Sequence, residues 1–174
     1  MSIATRDIIN YAQDMRLTLC MQQNETLFSD AFGVEYAEKG RRLVNCENKS
    51  LINYHIGKGT QCIDDSAFED CDHLCQLSLP NTIVRIGDWA FNRCVALQSM
   101  EIPASVNSIG DRAFNRCASI RKIKLSGIVR SIGKYTFLSC DALRTIEIPK
   151  GTTSRYKSML PSCYWSLLKE AVLA

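Results

Sequence analysis

Chemistry in this chain would fall first to its cysteines and histidines, of which there are nine and two in 174 residues. The run Cys71-Asp72-His73-Leu74-Cys75 sets two thiols and an imidazole side by side. These are the residue types that bind zinc or form a Cys–His nucleophile. The spacing matches no common zinc template, which joins a C-x2–4-C pair to a second pair. His73, in a polar turn, reads as solvated, and His55 is the only other imidazole. There is no phosphate-binding glycine loop, no H-E-x-x-H and no G-x-S-x-G. No catalytic residue, metal site or cofactor is therefore expected, and the chain does not read as an enzyme.

The cysteines have a different logic. Cys71, Cys94, Cys117 and Cys140 are each 23 residues apart. So are Ile63, Ile86, Ile109 and Ile132, and Phe68, Phe91, Phe114 and Phe137. Leu74, Leu97, Ile120 and Leu143 keep the step, followed by Leu77, Met100, Ile123 and Ile146, then Leu79, Ile102, Leu125 and Ile148. Gly87, Gly110 and Gly133 keep it too, with Asp64 in the first copy. A fixed period of this length marks stacked units, none of which buries its apolar face alone.

Each unit has a physical reading. Ser99-Met100-Glu101-Ile102 alternates outward and inward, as a short half-buried strand does, and Pro103 ends it. Val106 and Ile109 add inward anchors, and Gly110 permits a tight turn. Ala113, Phe114 and Cys117 then suit one or two helical turns. The cysteine column reads as small buried core residues. Helical segments would stand roughly 8–10 Å apart, beyond the ~7 Å Cα limit for a disulfide ladder. Cys62 and Cys75 align with Arg, Ser and Gln in the other copies, so these two read as the more exposed and more reactive thiols.

The unit Ile109-Gly-Asp-Arg-Ala-Phe114-Asn-Arg-Cys117-Ala-Ser-Ile120-Arg-Lys-Ile123-Lys-Leu125 resembles the 23-residue BspA-like class of leucine-rich repeat, over about residues 63 to 150. The resemblance implies an α/β solenoid, a curved right-handed superhelix with short parallel strands on one face and helical turns on the other. It also implies protein binding rather than chemistry. The run IPKGTTSRYKSMLPSCYW resembles that family's C-terminal cap. The expected divisions are 1–39, an N-terminal cap and degenerate repeat; 40–62, a hairpin plus partial repeat; 63–150, the regular repeats; and 151–174, a helical cap. Residues 3–16 suit an amphipathic capping helix. The hairpin is expected over Tyr36–Tyr54, turning at Glu47–Lys49. Leu27–Phe32 mimics Ile63–Phe68, and Tyr156, Leu160, Cys163 and Leu167 form a helical stripe over Thr153–Leu173, divided by Pro161.

A partner would be read at outward strand positions: Gln76 and Ser78, Ser99 and Glu101, Lys122 and Lys124 with the neighbouring Arg121, then Thr145 and Glu147. Charge along the stack is uneven, net −4 over residues 63–85 and net +5 over 109–131. Such a dipole would steer a protein partner or favour self-association. The basic stretch lacks the interleaved aromatics of a nucleic-acid binder. No apolar run is long enough for a membrane span. The first 20 residues carry no export signal, and nine cysteines, an odd number, suit reduced thiols in a cytoplasmic protein. Incompleteness at the N-terminus would place the chain at the surface or outside the cell, as an adhesion module. A thiol-dependent enzyme or redox sensor is the third reading.

Overall fold

A computed structural model describes residues 27–171. The 23-residue period becomes hydrogen bonding. β4 (Asn53–His55) pairs in parallel with β6 (Gln76–Ser78), Asn53 opposite Gln76. β8 (Ser99–Ile102) pairs with β10 (Lys122–Leu125), which pairs with β12 (Thr145–Ile148), each one period on. Inward residues Met100, Ile102, Ile123, Leu125, Ile146 and Ile148 are buried, at 2% exposure or less.

The isoleucines at the second set of anchors also form strands. β5 (Cys62–Ile63), β7 (Arg85–Ile86), β9 (Ser108–Ile109) and β11 (Ser131–Ile132) are two-residue strands that pair in parallel in that order. They extend from a hairpin of β2 (Val34–Ala37) and β3 (Arg42–Cys46), with β1 (Phe28–Ser29) antiparallel on β2.

The third side of each coil differs from expectation. Residues 65–70 and their equivalents form turns, not helix. Two non-glycine residues in each turn hold φ between 54° and 63°: Ser66 and Asp70, Trp89 and Arg93, Arg112 and Arg116, Tyr135 and Ser139. Left-handed backbone at two positions four residues apart breaks a helix. The released N–H groups point along the stack instead. Ser66, Phe68 and Asp70 donate to Asp88, Ala90 and Asn92; Trp89, Phe91 and Arg93 to Asp111, Ala113 and Asn115; Arg112, Phe114 and Arg116 to Lys134, Thr136 and Leu138. The turns are thus a hydrogen-bonded ladder, about one strand spacing apart (~4.8 Å).

This spacing stacks the phenylalanines face to face. Phe68, Phe91, Phe114 and Phe137 have successive centroid distances of 5.5, 5.1 and 5.9 Å and are buried. It also brings the cysteines closer than a helical stack would, so the distance argument against a disulfide ladder fails here. The thiols are free and are satisfied another way: Cys94, Cys117 and Cys140 donate to the carbonyls of Phe68, Phe91 and Phe114 at 3.2, 3.2 and 3.0 Å. Polar side chains run in register beside them. Asn115 donates through Nδ2 to Oδ1 of Asn92 at 2.8 Å, and Asn92 to Oε1 of Glu69 at 2.7 Å.

The ends of the stack carry the corrections. The hairpin turns at Glu38–Arg41, through Glu38, Lys39 and Gly40 at positive φ, not at Glu47–Lys49. β3 pairs with β5 and β4 with β6, so no hairpin joins residues 42 to 55. Phe32 is 56% exposed and does not repeat the burial of Phe68. The aromatic that meets Phe68 is Tyr54, whose hydroxyl contacts Tyr36 at 2.5 Å and donates to Asp30. The capping helix expected over 3–16 lies outside the described residues.

At the other end, helix α1 (Thr153–Met159) is short, and a 3-10 turn follows at Ser162–Leu167. The chain then forms β13 (Leu168–Glu170), a parallel edge strand on β12, where a continued helix was expected. Pro161 removes the N–H that the helix needs to continue. Tyr156 holds α1 in place: its buried hydroxyl accepts from Val129 N–H and donates to the Gly127 carbonyl. Cys163, placed by periodicity on the buried stripe, is exposed.

Candidate functional site

Parallel pairing projects one side chain per coil outward at each strand position, and a short ladder fixes its height. β4 with β6 and β8 with β10 and β12 belong to separate sheets, which part between β6 and β8. Leu77 and Leu79 are only half-buried there, whereas Met100 and Ile102, their equivalents one coil on, are buried. The parting opens a groove of about 900 Å³ on the strand face. Its walls include His55, Gln76, Ser78, Ser99, Glu101 and Lys124.

Of the positions read from alternation, Gln76, Ser78, Ser99, Glu101 and Lys124 therefore share this groove. Arg121, Lys122, Thr145 and Glu147 do not line it. Thr145 and Glu147 are half-buried, with Glu147 opposite Lys169 of β13. The basic stretch is also less bare than its sequence implies. Lys122 pairs with Glu147 at 2.5 Å and Lys124 with Glu101 at 2.8 Å, while Ser126 donates to Glu101 at 2.9 Å. The hydrogen bond from Lys124, then that from Ser126, holds the Glu101 carboxyl below the ordinary carboxylate range, and the same contact raises Lys124. Arg121 is exposed and has no ion pair among the described residues.

The thiols divide differently from expectation. Cys62 is 5% exposed, and burial raises its pKa, contrary to the reading of an open, reactive thiol. The inward turn of β5 is responsible: Cys62 and Ile63 are both buried. Cys75 is partly exposed, and its thiol contacts the His73 carbonyl at 3.4 Å. The ring of His73 faces Asp72 at 2.6 Å, not a thiol. Among the described residues no group of three or more His, Cys, Asp and Glu is placed to hold a metal. No helix among them is long and apolar enough to cross a membrane.

One contact on the turn side had a sequence signal. Trp89 and Tyr135 occupy the position of Arg112, one coil either side. The Arg112 guanidinium lies 4.7 Å from the Trp89 ring centre and 5.2 Å from that of Tyr135. The aromatics pack on a neighbouring turn through a cation–π sandwich.

The family model of the BspA type leucine rich repeat region matches residues 45–165, in six copies. The chain belongs to this family. BspA-type repeats are generally non-catalytic scaffolds that commonly bind proteins through extended concave surfaces. No curated protein matches the chain. Among solved structures, the pneumococcal vaccine antigen PcpA is similar over 87% of this chain and 38% of its own, with TM-score 0.71 and 22% identity. A T. pallidum leucine rich repeat protein matches over 72% of this chain and 69% of its own, with TM-score 0.57 and 22% identity. A leucine-rich repeat protein from Eubacterium ventriosum matches over 74% and 35%, with TM-score 0.64 and 18% identity. These likenesses are of fold. The chain spans well under half of the pneumococcal antigen.

Proposed function

We propose that this BspA-type repeat is a non-catalytic scaffold that binds a protein partner in the groove of its strand face, the coil being right-handed as parallel crossovers are. The carrying observation is the parting of the sheets between β6 and β8. It sets half-buried Leu77 and Leu79 between rows of polar side chains on two rigid ladders. Apolar floor and polar rim are what a protein interface asks of a surface. The paired Lys124 and Glu101 offer a partner one cation and one anion at fixed height, which favours register over raw affinity. Arg121, Lys122, Thr145 and Glu147 belong to the flank of this face and steer the approach.

A photo-cross-linking residue at Ser78 or Ser99 tests this in native cells. The expected result is one partner captured from both positions and not from Lys134 on the opposite side. Glu101→Lys is expected to abolish capture. Equal capture from Lys134, or capture indifferent to Glu101→Lys, refutes the groove.

The same reading places the chain in a reducing, cytoplasmic setting, supported by eight free thiols among the described residues. A surface adhesion module is the second reading, favoured by the similarity in fold to a leucine rich cell surface protein from Faecalibacterium prausnitzii, with TM-score 0.55 and 20% identity. Fractionation decides between them: native protein solely in the cytosol removes adhesion. Burial of Cys62 argues against a thiol-dependent enzyme working through that residue.

A further inference from the structure

We propose that the C-terminal end of the turn ladder is a second docking site, which takes an extended peptide of alternating acidic and apolar residues. The ladder is polar. Each turn offers three N–H groups toward the next coil and three carbonyls toward the previous one. In the last coil the equivalent donors are the N–H groups of Tyr135, Phe137 and Ser139. None of them has an acceptor among the described residues. The C-terminal cap sets the Tyr164 ring edge-on to that of Phe137, 6.0 Å between centres, but brings these N–H groups no acceptor; β13 covers β12 on the strand side, while β11 remains the edge of its own sheet. A row of open donors of this kind can take up carbonyls of an extended segment.

Beside these donors lies a groove of about 440 Å³ between the last turn and the cap, with Ile132, Leu138, Met159, Leu160 and Tyr164 in its walls. Leu138 and Tyr135 are 44% and 56% exposed there. An extended segment turns every second carbonyl to one edge, which matches donors on residues 135, 137 and 139. Charge selects the occupant: residues 109–160 hold eleven basic side chains and three acidic ones. An acidic segment is attracted to this end and a basic one repelled.

A second copy does not fit the edge. A two-fold axis would set donors against donors. Head-to-tail stacking would need the free carbonyl edge of the first turn, and the hairpin region already occupies it, with Cys46 N–H on the Ala67 carbonyl and Lys49 on that of Glu69. The occupant is therefore a different chain that brings its own carbonyls.

The test uses the full chain and a fluorescein-labelled peptide of four Glu-Val repeats, with a Lys-Val counterpart. Anisotropy is expected to show binding of the first and not the second. Leu138→Glu sets a like charge in the groove, and its affinity is expected to fall at least about tenfold. Amide exchange on the wild-type chain reads the same site without any substitution: peptide should slow exchange at Tyr135, Phe137 and Ser139. Absence of Glu-Val binding, equal binding of both peptides, or protection at Ser99 and Glu101 instead overturns the proposal. The last outcome would assign the peptide to the strand-face groove, so the two sites are told apart.

Discussion

A Cβ placed on Gly110 would lie 2.5 Å from the backbone nitrogen of Asp88, one coil below. The same holds for Gly133 against Asp111 at 2.3 Å and for Gly87 against Asp65 at 2.6 Å. None of these glycines has positive φ. They are required by the closeness of backbone to backbone, not by turn conformation. The aspartates that they meet use the closeness: Asp65, Asp88 and Asp111 accept from the backbone N–H of Asp88, Asp111 and Lys134 at 2.9, 2.8 and 2.6 Å. In the first regular coil the neighbour is the hairpin, and there a side chain fits. Asp64 takes the glycine position and pairs with Arg42 at 2.5 Å.

Gly110→Ala is therefore expected to force neighbouring coils apart. Overpacking of this kind costs about 1–3 kcal/mol. Urea unfolding of the variant checks it. A loss no larger than that of an exposed Ser119→Ala control would show that the coils tolerate a methyl group at this contact.

The phenylalanine column makes a second demand. Phe114 lies between Phe91 at 5.1 Å and Phe137 at 5.9 Å and is fully buried. Both neighbours lose a stacking partner on truncation, and rigid coils on either side cannot collapse into the space. Phe114→Ala is expected to destabilise by about 3–5 kcal/mol, and Phe114→Leu by less. Denaturant midpoints at constant slope are the measurement. Near-equal midpoints for wild type and Phe114→Ala would contradict the stacked column.

The ion pair on the strand face predicts a titration. Lys124 and Ser126 lower the Glu101 pKa. A carboxyl group so lowered stabilises the fold above its unfolded pKa, and loses that contribution as pH falls through the lowered folded value. Both side chains are largely exposed, so the energy is small and the titration itself is the better readout. Carboxyl NMR is expected to place Glu101 below ordinary glutamate, and Lys124→Met to bring it back up. An unchanged Glu101 in that variant would mean that the pair does not persist in solution.

Much of this was legible in the sequence because one rule writes it. A 23-residue step repeated in Ile, Phe, Cys, Leu and Pro fixes which residues share a column, and the columns fix the register of β4 with β6 and of β8, β10 and β12. The turn side was misread because Ala113, Phe114 and Cys117 have the spacing of a helix. Periodicity of apolar residues does not report φ, and Arg112 and Arg116 at positive φ carry no glycine to announce it. The groove was half legible. Alternation finds Ser99 and Glu101 as outward residues, but the parting of the two sheets depends on how β6 sits against β8. The ends were least legible, since a hairpin and a cap occur once and leave no copy to compare.

Thiol reactivity makes the last prediction, and it keeps Cys75 but not Cys62 among the reactive thiols that alignment within the repeat implies. Cys163 is exposed, Cys75 is partly so, and Cys62, Cys94 and Cys117 are buried. Burial raises the Cys62 pKa and pushes the Cys94 thiol up to about 12. Cys117 is raised as well, first by its hydrogen bond with Cys140 and then by burial. A buried thiol with raised pKa offers little thiolate at neutral pH, and thiolate is the nucleophile. Brief iodoacetamide treatment of the native protein, read by peptide mass mapping, is expected to label Cys163 first and Cys75 next. Cys62, Cys94 and Cys117 should react only in denaturant. Native labelling of Cys62 ahead of Cys163 would mean that β5 opens to solvent, and the paired strands beside it would then have to separate as readily as a fraying end.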